Sequence, residues 1–184
     1  MASTFVPTST VTWTLDPAHS RAEFKVRHMM IANVKGSFKS LSGTLIENLT
    51  DPSRSQVEAV IDISTIETGD AQRDAHLKSA DFFHHEQHPT MTFQSTRVQK
   101  IGEGQYSVTG DLIMHGVTKQ VTFAVEGPSA PAQDPWGNSR IGLSATTRIN
   151  RKDFGLNFNA PLEAGGVLIG EDVEITLDAE FIRS

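Results

Sequence analysis

Val173-Glu174-Ile175-Thr176-Leu177-Asp178-Ala179-Glu180-Phe181 puts an apolar side chain at every odd position and a charged or polar one at every even position. Successive side chains of an extended strand point to opposite faces, so one face of this segment is greasy and the other wet. The same alternation runs through Val57/Ala59/Ile61/Ile63, Tyr106/Val108/Gly110/Leu112/Met114, Val121/Phe123/Val125 and Ile141/Leu143/Ala145/Thr147/Ile149. Such strands describe a sheet with one buried side, and closing that sheet into a barrel both buries the greasy side and removes its open edges. Strands are expected at Val11–Leu15, Arg21–Met29, Lys35–Glu47, Gln56–Ser64, Thr90–Ile101, Gln105–Met114, Thr118–Glu126, Arg140–Asn150 and Asp172–Ile182.

Two kinds of segment interrupt the alternation. Gly102-Glu103-Gly104 and His115-Gly116-Val117 read as hairpin turns, and Gly127 to Gly137, with Pro128, Pro131 and Pro135, as a surface connection. Asp70 to Phe83 reads as one short helix between strands, with Asp70 as amino-terminal cap and Asp74/Lys78 spaced for an ion pair with the acid first. Leu77, Ala80 and Phe83 recur every third residue, so one side of this helix is expected to pack on the barrel and plug or lid an end. Residues 1–10 are Ser/Thr-rich and are expected to form a flexible lead-in, with residues 11–184 forming one domain.

Composition narrows the function. Hydrophobic residues make up 38% and charged residues 21%, and no apolar run approaches the ~20 residues a membrane-crossing helix needs. A net charge of −6 without a Lys/Arg cluster argues against a nucleic-acid partner. The absence of cysteine excludes disulfides, thiolate metal sites and cysteine nucleophiles. The opening MASTFVPTSTV has neither a basic n-region nor an apolar h-region, so a cytoplasmic location is expected. Asn48-Leu49-Thr50 matches a glycosylation sequon by pattern, which without a secretion signal reads as chance.

Several motifs follow one another along the chain. Leu15-Asp16-Pro17-Ala18-His19-Ser20 precedes Phe24-Lys25-Val26-Arg27-His28, Gly36-Ser37-Phe38 and Gly43. Next come Arg73-Asp74-Ala75-His76-Leu77, Asp81-Phe82-Phe83 and Pro89-Thr90-Met91-Thr92-Phe93-Gln94-Ser95. Gly110 to Thr118, reading Gly-Asp-Leu-Ile-Met-His-Gly-Val-Thr, and Arg151-Lys152-Asp153-Phe154-Gly155-Leu156 complete the series. In this order the motifs resemble the bacterial YceI-like family of polyisoprenoid-binding, lipocalin-like proteins, over about residues 11–183. The resemblance implies an all-β fold, an extended antiparallel barrel of about eight strands around a long apolar pocket, and a non-catalytic carrier, storage or sensing role. Many members of that family carry a secretion signal and are periplasmic, a feature this chain does not show.

Alternation assigns Phe24, Val26, Ile61, Ile63, Met91, Phe93, Leu112, Met114, Phe123, Leu143, Val173, Ile175 and Leu177 to the inside, with Phe83, Phe154 and Phe158 adding to one end of the pocket. His28 shares the parity of Phe24 and Val26 and is expected to face inward at the strand end. Each CH₂ moved from water into such a pocket contributes about 0.8 kcal/mol, so a long chain binds with few polar contacts and related lipids are tolerated. A polar head, such as a prenyl pyrophosphate, would find donors among Arg27, Arg73, His76, Arg148, Arg151 and Lys152. An isoprenoid quinone, or a fatty acid or amide in a stress-related role, would use the same lumen, and barrels with exposed strand edges often pair as homodimers.

The strongest rival signal is His84-His85-Glu86-Gln87-His88, close to His76. Imidazoles so near one another can coordinate zinc, nickel or copper, which makes His84, His85 and His88 the alternative metal ligands. The segment is one residue short of HExxH and Pro89 ends any helix there, so solvated loop histidines fit better. Asp153-Phe154-Gly155 occurs without the other kinase elements, and the chain has no P-loop, no dinucleotide fingerprint and no GxSxG elbow. The expectation is a binding protein with no cofactor and no catalytic residues.

Overall fold

The computed structural model describes residues 9–184. The lead-in expected over residues 1–10 therefore lies, up to residue 8, outside the described residues, and Thr10 already belongs to the first strand. In chain order the strands are β1 (Thr10–Leu15), β2 (Arg21–His28), β3 (Ala32–Phe38), β4 (Leu41–Asn48), β5 (Gln56–Asp62), β6 (Ile66–Glu67), β7 (Thr90–Gly102), β8 (Gln105–Met114), β9 (Val117–Glu126), β10 (Ala132–Gln133), β11 (Ser139–Asn150) and β12 (Ile169–Arg183). One α-helix, α1 (Ala71–Lys78), stands between β6 and β7.

Eight of the strands close on themselves. Antiparallel pairing runs from β1 through β4, β5, β7, β8, β9 and β11 to β12, and β12 pairs back to β1. β12 makes closure possible because it is long enough for two partners on one edge. Phe181–Arg183 pair with β1, while Val173–Asp178 pair with β2, which begins the three-stranded extension β2-β3-β6. The result is the expected barrel of eight strands, deepened at one end. We call the end near Asn48, Gly127 and Arg140 the upper pole and the end near His28, α1 and Arg151 the lower pole.

Close backbone approach sets the curvature at two glycines. A Cβ on Gly36 would lie 2.3 Å from Phe24 Cζ, and one on Gly110 would lie 2.6 Å from Phe93 Cζ. Each aromatic ring therefore lies flat across a neighbouring strand where only glycine leaves room. Around the lumen the inward faces form two adjoining clusters. One holds Trp13, Leu15, Leu45, Ile141 and Phe181, and the other holds Phe38, Met91, Leu112, Phe123 and Ile149.

Three expected elements differ in detail. The strand expected over Lys35–Glu47 is two strands, because Phe38 and Leu41 both point inward and no single strand can do that across an odd spacing. The chain turns at Lys39 and Ser40, whose amides both donate to Thr65 Oγ1, at 3.2 and 3.1 Å. β5 stops at Asp62, whose carboxylate accepts from the Ser64 amide at 2.9 Å and caps a short 3₁₀ turn. The helix starts as expected, with Asp70 accepting from the Arg73 amide, but ends at Lys78 rather than Phe83. Consecutive Phe82 and Phe83 both pack inward, Ala80 is exposed, and His84 takes a positive φ, none of which a continuing helix permits. Asp74 does not pair with Lys78. It accepts from the Thr68 amide and hydroxyl and ties the helix to the strand before it.

Candidate binding site: an apolar lumen with unlike ends

A cavity of about 650 Å³ runs along the barrel, within the ~300–1,000 Å³ typical of small-molecule sites. Its wall is built by the alternation read in the sequence. Phe24 and Val26 of β2, Ile61 of β5, and Met91 and Phe93 of β7 line one side. Leu112 and Met114 of β8, Phe123 of β9 and Leu143 of β11 line the other, and Val173, Ile175 and Leu177 of β12 complete the ring. Phe83 and Phe158 enter from the lower-pole loops. Ile63 and Phe154 do not reach the lumen. Both sit in 3₁₀ turns at strand ends and are 1% exposed, packed behind the wall as core.

The polar residues named from sequence separate into two groups. Arg27, His28, Arg73, His76 and Arg151 all line the lower end of the cavity. Arg148 and Lys152 lie outside it, where Arg148 donates to Glu174 and Lys152 pairs with Glu171, each at 2.7 Å. Those pairings hold both glutamates below their usual pKa, Glu171 chiefly through Lys152 and Glu174 through Lys25 and then Arg148. Arg73 is steadied by Thr68, its Nε donating to the hydroxyl and its Nη2 to the carbonyl, at 2.7 and 2.8 Å. The ring of His76 meets Phe82 and Phe158 edge-on, and its Nε2 lies 2.8 Å from Asp81 Oδ2.

Arg151 differs from the others. It is 4% exposed, and its guanidinium donates to the carbonyls of Gly170, Leu156, Phe158 and Ile169. Burial pushes its pKa down, with the Glu171 charge acting the other way. The side chain is thus a staple that folds the segment after β11 back onto the start of β12, and it shapes the lower mouth from behind.

At the upper pole the wall contains a carboxylate that the sequence reading missed. Glu47 shares the inward parity of Leu41 and Leu45 and accepts from Trp13 Nε1 at 2.8 Å. Tyr106, also inward by parity, lines the same end. Asn48 is buried there, its Oδ1 accepting from the Thr50 amide and hydroxyl and the Asp51 amide, so the sequon asparagine serves as a corner cap. Outside the lumen, Arg140 donates to Asp16, Asp134 and Glu180, each at 2.7 Å. Arg140, and then His19, hold the Asp16 carboxyl down at about 2.

Among the described residues the one cluster with ligand atoms close enough for a metal ion is Asp16, His19 and Glu180, and the guanidinium of Arg140 already occupies two of its carboxylates. The histidine cluster is spread out instead. His85 Nδ1 lies 3.1 Å from the Lys78 carbonyl, while the His88 ring meets both His84 and His115 edge-on, and the ligand nitrogens of His84, His85 and His88 do not gather around one point.

The YceI-like domain family matches residues 13–181 of the sequence. This chain belongs to the YceI-like family. It is 38% identical over 169 residues to a UPF0312 protein of Staphylococcus aureus strain N315, covering 92% of this chain and 96% of that one. The YceI-like barrel is also similar to the Campylobacter jejuni YCEI protein, with a TM-score of 0.69 and 27% identity over 87% of this chain and 91% of the other. It shares its fold with Burkholderia cenocepacia BcnA, at a TM-score of 0.77 and 21% identity over 90% and 98% of the two chains. A further relative in fold is a polyisoprenoid binding domain from Saccharophagus degradans implicated in plant cell wall breakdown, at a TM-score of 0.65 and 17% identity over 95% and 99%.

Proposed function

We propose that this YceI-like protein binds a single long-chain amphiphile, a polyisoprenoid of the quinone or prenyl pyrophosphate type, and carries it in the lumen. The observation that carries the reading is the lumen itself, an elongated cavity walled by aliphatic and aromatic side chains with cationic groups gathered at one end. The tail leaves water for the wall, and each methylene buried there contributes about 0.8 kcal/mol. The head lies at the lower pole beside Arg27 and Arg73, neither of which has a carboxylate within ion-pair distance among the described residues. The polyisoprenoid-binding description of the Saccharophagus degradans relative supports the same chemical class. Binding without catalysis is in keeping with a wall that offers hydrocarbon to the ligand along most of its length.

Native mass spectrometry of protein purified without added lipid, followed by solvent extraction, tests the reading. The expected result is one isoprenoid per chain. An extracted fatty acid or amide would keep the lumen and change the ligand, while a bare mass that also takes up no added isoprenoid would overturn the proposal.

A further inference from the structure

The turn between β2 and β3 carries residues that neither turn chemistry nor core packing selects. The Ile31 amide donates to the His28 carbonyl at 3.1 Å, and the two residues between them, Met29 and Met30, hold φ of 51° and 63°. This is the arrangement that Asn-Gly or Gly-Gly favours, because positive φ crowds a Cβ against the backbone. The comparable turn between β8 and β9, at the same pole, has glycine at its second position, His115-Gly116. Here the chain places Met29, Met30 and Ile31, and leaves them 42%, 53% and 75% exposed.

Position and charge give the tip a context. His28, just before the turn, lines the lower end of the cavity with Arg27. The Met29 amide donates to the Leu168 carbonyl at 2.7 Å, and Leu168 lines the cavity too, so the tip is fastened to the rim of the mouth. In a chain of net charge −6, the hairpin from Phe24 to Phe38 contains Lys25, Arg27 and Lys35 and no carboxylate. Lys25 is engaged by Glu174, whereas Arg27 and Lys35 are exposed with no ion-pair partner among the described residues. The adjoining loop, residues 160–168, adds one acid, Glu163, and no base.

We propose that the Met29–Ile31 tip docks the protein on an anionic lipid surface. The two methionines and the isoleucine enter the boundary between headgroups and acyl chains, Arg27 and Lys35 meet the phosphates, and the lower mouth faces the bilayer. Unbranched methionine adapts to such an irregular medium, and surface binding of this kind grows with buried apolar area and with attraction to anionic lipid. The docking extends the carrier reading but does not depend on which amphiphile fills the lumen.

Co-sedimentation of the full chain with phosphatidylglycerol/phosphatidylethanolamine vesicles, against phosphatidylcholine vesicles, tests it. Met29→Asn/Met30→Gly restores favoured turn residues, so its Tm is expected to hold or rise while its vesicle partitioning falls about tenfold or more. Arg27→Gln/Lys35→Gln is expected to lose the preference for anionic vesicles and the sensitivity of binding to salt. Failure of the wild type to sediment with anionic vesicles, equal partitioning into both vesicle types, or undiminished binding by the turn variant would each overturn the docking. An empty lumen in a protein that still binds vesicles through this tip would count against the carrier reading alone.

Discussion

Two arginines at opposite ends of β11 are accommodated in opposite ways. Arg140, at the upper pole, is shared among the carboxylates of Asp16, Asp134 and Glu180, and these contacts raise its own pKa while holding Asp134 far below the carboxylate range. Arg151, just past the lower end of the strand, is more deeply buried and is held by backbone carbonyls alone. A guanidinium stays charged in either setting, so the charge of Arg140 is matched by carboxylates and that of Arg151 by none in direct contact. Arg27 and Arg73 follow the same division. The end of the barrel that retains positive charge is also the end where the cavity meets the exposed hairpin tip, which gives the lumen a direction for a ligand with an anionic or hydrogen-bond-accepting head.

Removing the lower staple is the strongest way to break this contrast. Arg151→Met is expected to destabilise the fold by about 3–5 kcal/mol, because it leaves several buried carbonyls without donors, and urea unfolding measures the loss. Arg151→Lys is expected to recover only part of it, since an ammonium lacks the fork that reaches carbonyls in different directions. A loss under about 1 kcal/mol in Arg151→Met would mean that the loop is held by other contacts.

Blocking the lumen separates capacity from stability. Leu177→Trp adds bulk to the wall where β12 pairs with β2 and β11, Leu177 standing opposite Ala22 and Ala145. Isoprenoid uptake, read by native mass spectrometry, is expected to fall at least about tenfold while Tm changes little, because the added ring enters open space rather than packed core. Arg27→Gln and Arg73→Gln have a smaller expected effect. Each should weaken an anionic-headed isoprenoid by about 5–13-fold, the equivalent of ~1–1.5 kcal/mol per charge-assisted contact, and leave a neutral isoprenoid alcohol unchanged. Equal losses for both ligands would show that these arginines shape the mouth rather than contact the head.

The barrel was legible in the sequence because strand parity is a local signal, and Val173 to Phe181 shows it without interruption. The same signal could have divided Lys35–Glu47, since Phe38 lies inward on even numbering and Leu41 on odd, and could have turned Glu47 inward with Leu45. Beyond that parity, Glu47 gives no sign in the sequence of an inward role, because its partner, the Trp13 indole, is distant in sequence. Spacing in sequence was a poor guide where loops decide the geometry. Ile63 and Phe154 continue the apolar pattern but fall in 3₁₀ turns, which rotate them behind the wall. Arg148 was named beside Arg151 although its parity places it on the outer face, where it meets Glu174. His84, His85 and His88 look like one cluster in sequence, yet the turn after α1 sends His85 to the Lys78 carbonyl and leaves His84 and His88 meeting edge-on without gathering three ligand nitrogens.

The upper latch predicts the smallest effect, and its sign follows from the carboxylates. Asp16 has its pKa lowered from 3.8 to about 2 by Arg140 and then His19, so the folded protein releases this proton more readily than the unfolded chain does. The stabilisation that Asp16 contributes to the latch is therefore complete above about pH 4 and is lost as pH falls through about 2. Arg140→Gln is expected to lower Tm by a few degrees at neutral pH, because it leaves Asp16, Asp134 and Glu180 without their shared cation. The gap between variant and wild type should narrow in part as the pH is taken from about 4 towards 2, because acid removes in the wild type the Asp16 share of what the substitution has already removed in the variant, while Asp134 stays ionised. Arg151→Met should show much less narrowing, since its hydrogen-bond acceptors are carbonyls that do not titrate and the Glu171 charge acts on it only through space. If the Arg151 variant converged on the wild type in acid as fully as the Arg140 variant, Arg151 would have to depend on a directly paired carboxylate, and the contrast between the two arginines would fail.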